Sequence, residues 1–219
     1  MKGKPWHHLD QRVDHNGTMP IATLRPWRSI AVYCGSSVGN SPAYAEAARE
    51  LGQVLAARGL GLVYGGGSIG LMGVVAQAVL EGGGTVHGVI TEALHRKEVG
   101  NTNITTLEVV ETMHTRKARM ADLADGSIIL PGGYGTLDEF METVTWNQLG
   151  VHAKPCGVLN VANFYDPLLE FIDHAVDHGF IPARYADSLL VNDDPAALLD
   201  AMRTLTLPTG ITVMSGRDR

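Results

Sequence analysis

The sequence predicts an α/β fold: a parallel sheet of six to seven strands with helices on both faces, in a single domain. Three observations carry this. Short β-branched runs alternate with stretches whose apolar residues recur at three- and four-residue spacing. The runs are nearly continuous in apolar character, as strands covered on both faces are. Glycine-rich turns then follow three of them, CGSS, YGGGSIGLMG and PGGYGT, at the carboxyl ends where open parallel sheets hold their ligands. A length of 219 residues, 45% hydrophobic and 18% charged, suits one large domain with a substantial core.

Residues 1–26 mix charge, His, Pro and Gly without periodicity, so a flexible N-terminal arm is expected there. The α/β domain is placed at 27–207 and a C-terminal tail at 208–219. Six strands are expected, in SIAVYCG (29–35), LGLVYGG (60–66), TVHGVI (85–90), TLEVVE (106–111), GSIILPG (126–132) and PCGVLN (155–160). SPAYAEAARELGQVLAARG and GLMGVVAQAVLEGG read as helices that end in glycine C-caps. Thr112 is placed to N-cap the helix after the fourth strand. Asp194-Pro195 opens a last helix, with the acid as N-cap and the proline in the first turn.

A net charge of −6 and a pI near 5.8 leave no broad cationic field, so a nucleic-acid partner is not expected. No apolar stretch is long enough for a membrane span, and the first residues lack the apolar core of a signal peptide. Cys34 and Cys156 are the only cysteines, which suits two buried thiols in a reducing compartment. A cytoplasmic location is therefore expected.

Gly65-x-Gly67-x-x-Gly70 formally matches a dinucleotide-binding fingerprint, with Glu92 beyond it. It follows the second strand instead of the first, and the same glycines serve a tight turn and close strand–helix packing equally well. No phosphate-binding P-loop pattern occurs. PGGYGTLDE (131–139) is open to two readings. Thr136 and Glu139 have the spacing of a capping box. Alternatively, the turn Gly132-Gly133-Tyr134-Gly135 presents unshielded amides at a helix N-terminus, where a phosphate is stabilised by donors and dipole together. In that case Asp138 and Glu139 must point away from the anion, toward a sugar or base. Glu142 shares their helix face and reads as a solvated or network acid.

TMHTRKARM (112–120) breaks a local rule, because Arg116 and Lys117 fall near a helix start where the macrodipole disfavours cations. That makes them candidate ligand contacts. Arg119 reads as a surface cation, and His114 as a base or a packed or capping residue. His174 and His178, four apart, could hold zinc but lack a third ligand; they read as a solvated face, as do His7, His8 and His15.

MHTRK (113–117) and PGGYGTLDE resemble the paired MHxRK and PGGxGTxxE motifs of the LONELY GUY (LOG) proteins, cytokinin riboside 5′-monophosphate phosphoribohydrolases. The resemblance runs from about Ile30 to Asp200 and includes VYCGSSVGN, VYGGGSIGLMG and ETVTWNQLG. It implies a Rossmann-like, dimeric hydrolase that cleaves the N-glycosidic bond of N6-substituted adenosine monophosphates, and commonly of AMP, to free base and ribose 5-phosphate. It implies that Arg116 and Glu139 are catalytic, and that Glu98, Lys117, Gly133, Tyr134, Gly135, Thr136, Leu137, Asp138 and Thr145 bind substrate. No metal or redox cofactor is needed for such chemistry. One departure is Asp138, where many relatives carry Glu; the arm at 1–26 lies outside the pattern. Oxocarbenium character at the sugar would be stabilised by a carboxylate such as Glu139, which could also activate water. Arg116 cannot give up a proton and suits a fixed donor. Two alternatives use the same residues: a general AMP nucleosidase, and a non-catalytic nucleotide carrier. Trp146 is open to pocket, interface or core.

Overall fold

The computed structural model describes residues 26–98 and 100–208, with the side chains of Lys97 and Glu98 outside the description. The calls on residues 1–25 and 209–219, including His7, His8 and His15, lie outside the described residues. The elements run β1 (Ser29–Tyr33), α1 (Pro42–Ala57), β2 (Gly61–Tyr64), α2 (Gly70–Glu81), β3 (Val86–Thr91), α3 (Glu92–Glu98), β4 (Thr106–Val110) and α4 (Met113–Leu123). They continue with β5 (Gly126–Ile129), α5 (Tyr134–Leu149), β6 (Cys156–Leu159), α6 (Asp166–Asp177), α7 (Ala183–Ala186), β7 (Leu190–Asn192) and α8 (Pro195–Thr204). All six expected runs hold a strand. The seventh, β7, has only three residues, too few to show a periodicity.

The strands form one parallel sheet in the order β4-β3-β2-β1-β5-β6-β7. This is a Rossmann-like, doubly wound sheet. The chain winds outward from β1 to β4 and then returns to the other side of β1, so the loops after β1 and β5 diverge and leave a crevice between them. The amide of Gly35 donates to the carbonyl of Pro131 at 3.0 Å and joins those two loops at its floor.

Alternation along β1 builds both layers of the core. Ile30 and Val32 pack with Leu51, Leu55, Leu71, Val75 and Leu198, from α1, α2 and α8. Ala31 and Tyr33 face Met120, Phe140, Leu169 and Ile172, from α4, α5 and α6. Each fully buried side chain of this kind contributes roughly 1.5–3 kcal/mol over exposure. No helix among the described residues is long and apolar enough to cross a membrane.

The expected caps form at two helices. Thr112 Oγ1 accepts the amide of Thr115 at 3.0 Å, and Asp194 Oδ1 accepts those of Ala196 and Ala197 at 2.7 and 3.1 Å. The capping box at the start of α5 does not form. The N-cap is Gly133, extended and without a side-chain cap, and Thr136 lies inside the first turn. Its side chain is packed over Gly132, where an added Cβ would stand 2.1 Å from Thr136 Oγ1. The Glu139 carboxylate is drawn instead to a cation on α4.

Candidate active site

Arg116 lies in the first turns of α4, and its side chain is only 9% exposed. Nε donates to the carbonyl of Val89 on β3 at 2.9 Å, and Nη1 to Glu139 Oε1 on α5 at 3.1 Å. These two acceptors offset the unfavourable placement of a buried cation near a helix start. Nη2 lies against Gly65, where an added Cβ would stand 2.0 Å away. Gly70, at φ +65°, passes so close to the β1–α1 loop that a Cβ would meet Ser36 C at 2.2 Å, and Leu71 N–H donates to Gly35 O at 3.0 Å. The glycines after β2 thus serve turn and packing, the second of their two readings.

Glu139 is buried beneath the crevice, with 12% of its side chain exposed. Burial raises its pKa to about 7; the neighbouring Arg116 works in the opposite direction, Asp138 pushes it further up, and Lys117 draws it down. A carboxyl group balanced near neutrality can take and release a proton at working pH. Beneath it, burial and then the Glu139 charge push the Tyr33 phenol and the Cys34 thiol upward, so both are neutral. Cys34 and Cys156 are free and buried, as expected, with Cys156 pushed up to about 12 by burial.

Lys117 Nζ meets Asp138 Oδ2 at 3.0 Å and Glu142 Oε1 at 3.1 Å. Burial works against this ammonium, but its bonds to the two carboxylates outweigh that and raise its pKa. Asp138 and Glu139 both turn toward cations of α4, away from the glycine turn, and Glu142 is a network acid. The turn itself is open. An added Cβ at Gly133 or Gly135 would meet nothing within 4 Å, and Tyr134 is 94% exposed. The first intrahelical amide of α5 is Leu137 N–H, donating to Gly133 O at 3.0 Å. The preceding amides, of Tyr134, Gly135 and Thr136, have no acceptor within the helix. Leu137 packs its side chain into the core and leaves its main chain to the turn.

One predicted site residue lines a separate cavity, and another has no described side chain. Thr145 is exposed, about 9 Å further along α5 than Glu139. It lines a different cavity of about 190 Å³, among Met141, Val144, Gln148, Ile181 and Tyr185. Glu98 ends α3, with its side chain outside the described residues. Of the remaining candidates, Arg119 forms a half-exposed pair with Glu108 at 2.9 and 3.0 Å, and His114 is exposed. Trp146 is half-buried and meets His152 edge to face at 5.8 Å. His178 Nδ1 contacts the carbonyl oxygen of His174 at 2.9 Å, and no group of three potential metal ligands occurs among the described residues. Sequence reasoning missed Val89 as the anchor of Arg116 and Gly65 as its seat.

Fold and crevice together define a Rossmann-like α/β protein whose switch point holds an ion-paired carboxylate next to an open helix N-terminus. The family described as possible lysine decarboxylase matches residues 72–202. Cytokinin riboside 5′-monophosphate phosphoribohydrolase LOG of Oryza sativa subsp. japonica is 56% identical over 155 residues, which span 71% of this chain and 64% of that protein. The phosphoribohydrolase LOG7 of Arabidopsis thaliana is 55% identical over 159 residues, 73% of each chain. The chain belongs to this family, that of the LOG proteins. Among solved structures, the molybdenum cofactor binding protein of Rippkaea orientalis aligns with a TM-score of 0.62 at 19% identity, covering 81% of this chain and 96% of that one. The molybdenum cofactor carrier protein of Chlamydomonas reinhardtii aligns at 0.60 and 21%, covering 80% and 96%. At such identities the likeness concerns the fold.

Proposed function

We propose that this protein hydrolyses the N-glycosidic bond of cytokinin riboside 5′-monophosphates, and of AMP, to free base and ribose 5-phosphate. The observation that carries the reading is the buried Arg116–Glu139 pair beside the open amide turn of α5. The monoester seats on the amides of Gly133 to Thr136, where the helix dipole favours an anion. The ribose then reaches over Asp138 and Glu139. As the C1′–N9 bond breaks, its electron pair leaves with the purine and positive charge develops on the sugar. Ionised Glu139 stabilises that charge and takes a proton from the water whose oxygen bonds to C1′. The purine acquires its proton from the resulting acid or from solvent. Arg116, fixed by Val89, holds the carboxylate and donates toward the departing base. When Asp138 turns to a ribose hydroxyl, Lys117 gains a donor for the monoester.

The substituent on N6 has apolar surface to meet. The connections that follow β1, β2, β4, β5 and β6 each carry an exposed apolar side chain: Val38, Ile69, Met113, Tyr134 and Phe164. Met113 Sδ also contacts Arg116 Nη1 at 3.4 Å, which puts one of them beside the pair. The identity of over 50% to phosphoribohydrolases, against about 20% to cofactor carriers, favours turnover over carriage. A homodimer and a cytoplasmic location belong to the same reading. The exposed Phe171 and Phe180 support the first, and the two unpaired thiols the second.

Incubation with AMP and with isopentenyladenosine 5′-monophosphate, followed by chromatography of the base, tests the reading. Release from both is expected. Release from AMP alone would make the protein a general nucleosidase, and release from neither would leave a carrier.

A further inference from the structure

Behind the Arg116–Glu139 pair lies a second set of charges, which the proposed chemistry uses only in part. Lys117 Nζ stands between two carboxylates of very different exposure: Asp138, at 58%, and Glu142, at 21%. The two acids are four residues apart on α5 and share its face with Glu139. An ammonium has three donors, so it can hold one acceptor while exchanging another. Glu142 is the inner partner and Asp138 the outer one.

We propose that Glu142 is a positioning residue: it anchors Lys117 so that Asp138 can leave the ammonium for the substrate without the ammonium moving onto Glu139. This rests on the hydrolase reading. An Asp138 that binds ribose must give up Lys117. With no second partner, Lys117 would move toward the next carboxylate on that face, Glu139, and compete with Arg116 for it. A second cation there favours the ionised form and lowers the proton affinity of Glu139.

The charged and titratable groups around Glu139 are Arg116 and Lys117 from α4, Asp138 and Glu142 from α5, Tyr33 from β1 and Cys34 just beyond it. Arg116 is fixed by Val89, and Tyr33 and Cys34 are neutral. Lys117 and Asp138 are therefore the groups whose partners can change.

The experiment measures the pH dependence of kcat, which reports the complex in which Asp138 has turned to substrate, together with KM for AMP, in Glu142→Ala, Glu142→Gln, Lys117→Met and Lys117→Met/Glu142→Ala. Circular dichroism confirms that each variant is folded. In Glu142→Ala the midpoint of the acidic limb should move down by about one pH unit, and KM should rise roughly tenfold with kcat falling less than threefold. Glu142→Gln keeps an acceptor oxygen and should restore both most of the way. In the Lys117→Met background, Glu142→Ala should add nothing further. An unmoved midpoint and KM in Glu142→Ala, the same shift in Glu142→Gln, or additivity with Lys117→Met would each overturn the proposal. If the unaltered protein releases no base, the hydrolase reading falls and the proposal with it. An active protein with an unshifted Glu142→Ala variant sinks the positioning role alone.

Discussion

Arg116 Nη1 donates to Glu139 Oε1 at 3.1 Å across 23 residues of sequence, and both side chains are about nine-tenths buried. A buried pair of this kind seldom contributes much net stability, because desolvation cancels most of the attraction. Its value here is placement: α4 holds the cation, α5 holds the acid, and both meet at the crevice between β1 and β5.

Glu139→Gln keeps the size of the side chain and an acceptor for Arg116, while removing the base. Base release from AMP should fall by about a thousandfold or more in kcat. The far-ultraviolet dichroism and cooperative melting should be retained. Normal turnover per folded molecule would assign Glu139 to structure alone.

The pH–rate profile should report the same group. Since the ionised carboxylate is the working form, kcat/KM should rise with pH and reach half its plateau near the value of about 7 set by burial. A limb centred in the ordinary carboxylate range would contradict the buried, desolvated acid.

Stability should respond with the opposite sign. Glu139 has a folded pKa of about 7 against an unfolded value of about 4.3, so the folded state holds the extra proton between them. Its contribution is complete below the lower value and is lost as pH rises through the upper one. Urea unfolding at pH 5 and pH 8 should therefore show the natural protein losing stability relative to Glu139→Gln, by at most about 3 kcal/mol. A difference independent of pH would contradict this.

Gly65→Ala places a methyl group where Arg116 Nη2 now lies. The guanidinium must move away from Glu139, at a cost in stability of about 1–3 kcal/mol. Activity should drop by more than tenfold with the sheet intact by dichroism, as both Glu139 and the substrate lose a fixed donor.

Gly135→Ala adds a methyl group in open space within the first turn of α5. Alanine is the better helix former, so the melting temperature should hold or rise slightly. KM for AMP should nonetheless rise about tenfold, because the methyl group stands over the amides that receive the monoester. An unchanged KM would place the phosphate elsewhere.

The sheet was legible because its strands are nearly continuous apolar runs; β7 escaped separate notice because three residues carry no pattern. The start of α5 stayed open to two readings for an instructive reason. The spacing of Thr136 and Glu139 satisfies a local capping rule, but a guanidinium from 23 residues away claims the carboxylate, and Gly133 begins the helix without a cap. The cations of α4 were legible for the converse reason: they break a local rule, which pointed to a tertiary cause. The anchors of those cations were not legible, since Val89, Asp138 and Gly65 come from other elements, and only folding brings them together. The helical period of α5 puts Thr145 on a different face from Glu139.

The most direct measurement is the crystal structure of the Glu139→Gln variant with AMP. The account predicts monoester oxygens within about 3.2 Å of the amides between Gly133 and Thr136, with C1′ the ribose atom nearest the substituted side chain. Nucleotide bound with its phosphate away from that turn, or with its ribose in the cavity beside Thr145, would contradict it.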